Sequence, residues 1–141
     1  MRNADCDASN GPALRIRHFA LRAVALLSGA YDFVAGAALL LARPLVSRLF
    51  DIPLPHPPIY GELNAIFLMA VGLGYAMPFR DPEGGRAYLW VMGPFLKGAG
   101  AVALLLAYLV RHAPRSLLLF AAGDGALALL TLWALLQTAA D

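Results

Sequence analysis

A single lysine lies in the middle of a long apolar stretch of this chain. In GPFLKGAGAVALLL, residues 93–106, Lys97 has only apolar and small neighbours, and no other charge lies between Arg86 and Arg111. An ammonium group in such surroundings can pair with an acid and fix the register of two helices. It can also line an internal cavity that binds a ligand or moves protons.

Three acids lie in comparable apolar stretches, namely Asp32, Glu62 and Asp124. A charged side chain at the centre of a bilayer costs about 2.5 to 3.5 kcal/mol on insertion scales. The three acids and Lys97 are therefore expected to face one another or water. Because three carboxylates then share one ammonium, the excess negative charge has to be removed by protonation or by a bound cation or amine.

Two neutral polar residues lie at similar depths in the spans, and we group them with the charges as a predicted binding cluster. Its members are Asp32, Glu62, Lys97, Asp124, Asn64 and Tyr31. The structural interpretation pairs Lys97 with Asp32 or Asp124, which explains one acid or two but leaves the third. The functional interpretation makes the cluster the wall of a cavity for ligand binding or proton movement.

Small residues and one proline accompany the charges. Glycines flank Asp32, follow Lys97 and bracket Asp124 in the triplet GDG. They allow helix backbones to approach closely, and they also leave room beside each charged group for a ligand or water. Pro94 is expected to kink the helix near Lys97 and to free a backbone carbonyl.

The elements that carry these residues are predicted to be transmembrane helices. The chain has 141 residues, of which 60% are hydrophobic and 14% are charged, against about 25% charged in a soluble domain. A chain this short could not hide so many apolar residues from water. Four apolar runs are each close to the roughly 20 residues that cross a bilayer as a helix. They cover residues 19–42, 59–79, 87–110 and 116–139.

The sequence therefore predicts an all-α, polytopic integral membrane protein with an up-down bundle of four transmembrane helices. Residues 1–18 are predicted to form a polar N-terminal tail, and residues 19–139 a single transmembrane domain. Residues 44–50, PLVSRLF, have an apolar face and are predicted to form a short helix in the membrane interface.

Signals of catalysis and metal binding are weak. The three histidines, His18, His56 and His112, lie at helix ends or in loops, and no histidine or cysteine lies within a span. This argues against haem with paired axial histidines, against zinc and against copper. The sequence has no nucleophile elbow, P-loop or dinucleotide-binding glycine motif, so we assign no catalytic residue. The arginines flank membrane spans, and nothing in their placement indicates nucleic acid.

The distribution of arginines predicts the orientation in the membrane. Six lie on the side of the two termini: Arg2, Arg15, Arg17, Arg22, Arg80 and Arg86. Four lie on the opposite side: Arg43, Arg48, Arg111 and Arg115. Because positive charge favours the cytoplasmic side, both termini are expected in the cytoplasm.

Two segments resemble a known family. In LRAVALLSGAYDFVAG an arginine at the start of the first helix precedes a glycine-flanked core, and in YGELNAIFLMAVGLG the second helix opens with an acid and runs to glycine. These segments resemble the small four-helix DoxX-like membrane proteins of bacteria. The resemblance implies a multi-pass protein of the inner (plasma) membrane and partnership with a larger redox assembly. The chain is more loosely similar to the four-helix sterol-isomerase and sigma-2-receptor group, which implies intramembrane acids around a lipid or amine pocket.

Three functions follow from the charged cluster. The leading hypothesis is a non-catalytic module that binds a small amphiphile, or an accessory subunit of a larger membrane assembly. The alternatives are a proton- or cation-conducting protein and an acid–base enzyme that acts on a lipid. No cofactor is evident in the sequence, although a bound lipid or quinone is compatible with it. The expected partners are the bilayer and either a larger membrane complex or further copies of the chain.

Overall fold

The computed structural model describes residues 12–138, and residues 1–11 and 139–141 lie outside the described part. Within that part all regular structure is helical, which confirms the all-α prediction. In chain order the elements are α1 (Pro12–Leu41), α2 (Arg43–Phe50), α3 (Ile59–Gly74), α4 (Ala76–Arg80), α5 (Arg86–Trp90), a π-helical segment (Val91–Lys97), α6 (Gly98–Arg111) and α7 (Leu117–Gln137).

Four stretches of the described chain are long and apolar enough to cross a membrane. We call them the first to fourth spans, and they cover His18–Leu41, Ile59–Arg80, Arg86–Arg111 and Leu117–Gln137. The second span contains α3 and α4, and the third contains α5, the π-helical segment and α6.

Helix α1 begins at Pro12, within the segment that was expected to be a polar tail. Proline suits the first turn of a helix because its fixed φ is already helical and its missing N–H would be unpaired there anyway. The first span itself starts only at His18. The helix therefore extends beyond its apolar part, since hydrophobicity sets the length that can be buried in lipid and not the length of the helix.

A proline explains the division between α3 and α4. Pro78 has no N–H to donate to the carbonyl of Gly74, one turn earlier, so the regular hydrogen-bond ladder is interrupted there. Tyr75, at the junction, keeps helical dihedral angles with φ −65° and ψ −12°. The chain direction is therefore maintained through the interruption.

The third span contains a wider helical turn at the proline that the sequence singled out. Pro94 lies inside the π-helical segment Val91–Lys97. A proline in a helix cannot donate to the carbonyl four residues earlier, and its ring also clashes with that carbonyl. A wider turn relieves both problems, and such segments are frequent at functional sites. The expected distortion near Lys97 is therefore present as a π-helical turn.

The spans pack as two helix pairs. The first span packs most extensively against α3, and α6 packs against α7, while α7 also contacts α1. The contact between α1 and α3 is close enough to require glycine. A Cβ atom added at Gly36 would lie 2.6 Å from the carbonyl oxygen of Ala65, and one at Gly72 would lie 2.7 Å from the backbone nitrogen of Phe33.

Polar contacts join the elements at the end of the bundle where α1 begins and α7 ends. His18 Nε2 lies 3.3 Å from Glu83 Oε1 in the connection between the second and third spans. The Arg86 guanidinium donates to the carbonyls of Leu135 at 3.1 Å and Thr138 at 3.3 Å. These carbonyls lie in the last turn of α7 and just beyond it, where cationic donors are favourable. Successive spans therefore run up and down.

The short helix α2 closes the opposite end. Its last residue, Phe50, packs against Phe120 of α7 with ring centroids 4.9 Å apart, and the Ser116 hydroxyl donates to the Phe50 carbonyl. Leu45 and Leu49 are exposed on its surface. An exposed apolar face next to basic residues is the pattern of a helix that lies in a membrane interface.

The apolar core occupies the half of the bundle nearer the described termini. Its buried members are Leu21, Val24, Ala25, Val71, Tyr75, Leu89, Ala134 and Leu135. A layer of buried polar residues, Ser28, Asp32, Lys97 and Thr131, follows it toward the α2 end. Large apolar side chains on the outside, such as Phe95, Leu106 and Leu129, are exposed. A surface of this kind suits hydrocarbon better than water.

Candidate functional site

Lys97 pairs with acids from two other helices. Its Nζ atom donates to Asp32 Oδ1 of α1 at 2.5 Å and lies 3.5 Å from Asp124 Oδ1 of α7. The sequence favoured these two acids as partners of Lys97, and the structure contains both pairs. We call Asp32, Lys97 and Asp124 the charged triad.

Burial differs between the two carboxylates of the triad. The side chains of Asp32 and Lys97 are each 4% exposed, whereas that of Asp124 is 22% exposed. Asp32 and Lys97 thus form an enclosed pair, with Asp124 at the more open side. Opposite charges interact strongly where water is excluded, but each charge has lost its hydration.

Tyr31 covers the ammonium group from a third direction. Lys97 Nζ lies 4.9 Å from the centroid of the Tyr31 ring, within the range of a cation–π contact. A Cβ atom added at Gly123 would lie 3.1 Å from the Tyr31 hydroxyl oxygen, so this side chain reaches from α1 to α7. Tyr31 therefore belongs to the site.

Glu62 does not join the charged triad, in contrast to the expectation from sequence. Its Oε1 atom accepts a hydrogen bond from Arg43 Nη2 at 2.9 Å, and its side chain is 38% exposed. Glu62 lies in the first turn of α3, where the helix dipole favours an acid. Arg43 also donates to the carbonyl of Pro58 at 3.2 Å, which holds the guanidinium at this helix end. Two carboxylates, instead of three, share Lys97.

Asn64 also lies outside the triad, because its side chain is exposed on α3. The face of α3 that contacts α1 carries Ala65 and Gly72. Consecutive residues of an α-helix point in directions about 100° apart, so the neighbour of Ala65 faces away from the contact. Asn64 was assigned to the cluster from its depth alone, and depth does not determine the face of a helix.

Two buried hydroxyl groups next to the triad were not predicted as site residues. Ser28 is fully buried one turn before Asp32, and Tyr75 is 1% exposed on the second span. Ser28 carries a sequence signal, since residues four apart lie on one face of a helix. Tyr75 carries none, because its position depends on how α1 packs against the second span.

Three glycines near Asp124 have more space beside them than the glycines between α1 and α3. A Cβ atom added at Gly98 would come no closer than 4.0 Å to its nearest neighbour, Ala128 Cβ. One added at Gly100 would lie 3.5 Å from Asp124 Oδ2, and one at Gly125 would lie 3.7 Å from Ala101 Cβ. These are ordinary contact distances, whereas the glycines between α1 and α3 have no such space. Asp124 therefore has small neighbours and room around it.

Two other features of the described residues bear on ligand binding. A groove of about 530 Å³ lies at the turn between α6 and α7, and it is separate from the triad. It is lined by Tyr108, Leu109, His112, Ala113, Pro114 and Arg115. Within residues 12–138, no three His, Cys, Asp or Glu side chains are grouped in a way that could hold a metal ion.

The charge balance determines what the triad can do. With every group ionised, two carboxylates and one ammonium carry one negative charge in excess, in a site from which water is largely excluded. A site of this kind takes up a proton or a cationic group. Because Asp32 already accepts from Lys97 at the shorter distance, the carboxylate available to another group is Asp124.

No protein-family model, curated protein or solved structure matches the chain.

Proposed function

We propose that this chain is a multi-pass protein of the bacterial inner membrane and that it binds a small amphiphile without catalysing a reaction. In this proposal the four spans form an up-down transmembrane bundle, α2 lies in the interface, and both termini are cytoplasmic. The resemblance to DoxX-like proteins supports a role as accessory subunit of a larger membrane assembly. The ligand head group is a cationic amine, and its binding partner is Asp124.

The proposal rests on a difference between the two acids of the triad in their distance from Lys97 and in their exposure. Lys97 lies 2.5 Å from Asp32 and 3.5 Å from Asp124, and Asp124 is the more exposed acid. A cationic head group at Asp124 would remove the excess negative charge of the site while the Asp32–Lys97 pair stays intact. The exposed apolar faces of α6 and α7 would keep the ligand tail in hydrocarbon.

Asp124→Asn is expected to weaken binding of the amphiphilic amine dodecylamine by about 10- to 100-fold. The amide keeps the size of the side chain and removes its charge, and a hydrogen bond to a charged group is worth about 1.5–3 kcal/mol. Binding would be measured with the purified protein in nanodiscs of zwitterionic lipid, by competition against a fluorescent alkylamine. Asp51→Asn is the matched control, because Asp51 is exposed and occupies a left-handed position that asparagine tolerates. Equal affinity of the Asp124→Asn variant and the wild type would contradict the proposal.

The same interaction predicts that binding of the amine weakens as the pH falls. Protons compete with the amine for the Asp124 carboxylate, whereas an alkylamine remains protonated throughout the range from pH 8 to 5. Affinity is therefore expected to be highest at the alkaline end and to decrease toward pH 5. The weak residual binding of Asp124→Asn should be independent of pH. A wild-type affinity that increases toward pH 5 would exclude binding to an ionised carboxylate.

Orientation can be tested separately. A reporter fused after Asp141 is expected to be cytoplasmic, because six of the ten arginines lie on the side of the termini. The polar contacts of His18 with Glu83, and of Arg86 with the end of α7, place these segments at one end of the bundle. Paired reporters that are active only in the cytoplasm or only in the periplasm would measure this. A periplasmic signal would invert the proposed topology.

Proton transfer is the second candidate function, and the order acid–base–acid across three helices favours it. Wild-type protein in liposomes would then conduct protons under an imposed potential, and Asp124→Asn would lower the flux. The buried apolar layer beyond Asp32, which includes Leu21, Leu89 and Leu135, lies across such a path. For this reason we rank amine binding first.

A further inference from the structure

Three buried polar atoms beside the triad have no protein hydrogen-bond partner within the described residues. They are Ser28 Oγ, Asp32 Oδ2 and Tyr75 OH. Ser28 is fully buried, and Asp32 and Tyr75 are 3% and 1% exposed. A buried polar atom that lacks a partner destabilises a protein by about 1–3 kcal/mol, so three of them in one place require an explanation.

The three atoms lie together. Ser28 and Asp32 are one helical turn apart on the same face of α1. A Cβ atom added at Gly29, between them in sequence, would lie 2.9 Å from Tyr75 Cβ, so Tyr75 packs directly against this part of α1. The Tyr75 phenol is near enough to the Ser28 hydroxyl for the two to interact directly, although they do not form a hydrogen bond of regular geometry, and it is within electrostatic range of the Asp32 carboxylate.

One small molecule that both donates and accepts hydrogen bonds can connect these three groups. Each hydroxyl can donate or accept, whereas a carboxylate oxygen can only accept. Water both donates and accepts, and a buried water typically makes about three hydrogen bonds to polar groups that are otherwise unpaired. Ser28, Tyr75 and Asp32 offer that number of partners.

We propose that Ser28, Asp32 and Tyr75 enclose a binding site for water. The bound water donates to Asp32 Oδ2 and accepts from one hydroxyl, while Lys97 donates to Asp32 Oδ1. The site is separate from the proposed amine site at Asp124 and does not depend on it. The two sites use different acids of the triad, Asp32 on α1 and Asp124 on α7.

The water site determines which acid of the triad keeps the lysine. With both oxygens of its carboxylate hydrogen-bonded, Asp32 keeps the hydrogen bond from Lys97 in a region closed to solvent. Asp124 is then the acid that can pair with a cationic group from outside the triad. The two acids thus have different tasks although both contact the same ammonium group.

Removing either hydroxyl is expected to lower the melting temperature of the protein. If Ser28 and Tyr75 lacked partners, Ser28→Ala and Tyr75→Phe would leave the melting temperature unchanged or raise it, because an unpaired buried hydroxyl is lost. If both bind the same water, each variant melts lower, and the double variant loses less than the sum of the two shifts. Tyr60→Phe is the control, because Tyr60 is exposed, and it should melt like the wild type. Unchanged or raised melting temperatures in both single variants would overturn the proposal.

Radiolytic hydroxyl labelling tests for the water directly. Radicals formed from a held water label the side chain next to it, so Tyr75 should be modified despite its burial. Ser28→Val, which fills the space with a methyl group, should reduce labelling of Tyr75 at least fivefold. If Ser28→Val does not fold, labelling at position 75 is measured in Tyr75→Phe, which removes the other hydroxyl of the site. Equal labelling in wild type and Ser28→Val would overturn the proposal.

Exchange of sodium for choline tests whether the site holds a cation instead of water. If the exchange lowers the melting temperature of the wild type but not that of Ser28→Ala, the site holds a cation and the proposal is overturned.

Discussion

Lys97→Met is expected to destabilise the folded protein by about 3–5 kcal/mol, the range found when one partner of a buried ion pair is removed. Methionine keeps the length and apolar stem of the side chain but leaves Asp32 and Asp124 without their shared cation. These carboxylates belong to two different helices, and Lys97 belongs to a third. The loss should therefore weaken the attachment of the third span to the first and fourth.

Thermal unfolding in detergent, followed by circular dichroism, would measure the effect. The control is the triple variant Lys97→Met, Asp32→Asn, Asp124→Asn, which removes the cation and both anions together. It should recover much of the lost stability, because uncompensated charge is the main cost of the single change. If Lys97→Met alone melts like the wild type, the triad does not hold the helices together.

Gly72→Ala is expected to destabilise the protein by about 3 kcal/mol, the upper end of the range for overpacking. The new methyl group would lie 2.7 Å from the Phe33 nitrogen and 2.8 Å from the Gly29 carbonyl oxygen. Both are backbone atoms of α1, so no side-chain rotation can make room. The first and second spans would have to separate, although they form the most extensive contact in the structure.

Gly98→Ala is the matched control for this change. Its methyl group would come no closer than 4.0 Å to Ala128 Cβ, and alanine is favoured over glycine within a helix by about 1 kcal/mol. This variant should melt at the same temperature as the wild type or slightly higher. Chemical denaturation of both variants would give the free energies of unfolding. Equal stability of the two would show that the close contact between α1 and α3 is not needed.

Much of the fold could be predicted from hydrophobicity because the lengths of the apolar runs match the spans that the structure contains. The partners of Lys97 could also be named, since a buried ammonium needs an acid and few acids lie at its depth. The start of α1 at Pro12 could not be predicted in this way. Hydropathy detects residues that avoid water, and the first turns of α1 precede the apolar run.

The parts of the site that were predicted wrongly or missed all depend on helix rotation and pairing. Glu62 was grouped with the triad by its position in a span, but Arg43, which lies beyond the end of α1, pairs with it. Asn64 was grouped by depth and faces outward. Tyr75 could not be found, because only the contact of α1 with the second span places its phenol beside Ser28. Composition and spacing within one helix do not contain these relations.

Because of the π-helical segment, side chains on its two sides point in directions that a uniform α-helix would not combine. On the termini side of Val91–Lys97, Leu89 points into the apolar core, and at the last residue of the segment Lys97 points at the acids of α1 and α7. An α-helix advances about 100° per residue, so a uniform helix through this region would fix one of these directions from the other. The wider turn separates them. Single-residue insertions or deletions within this segment could thus redirect the lysine while the core half of the same helix keeps its packing.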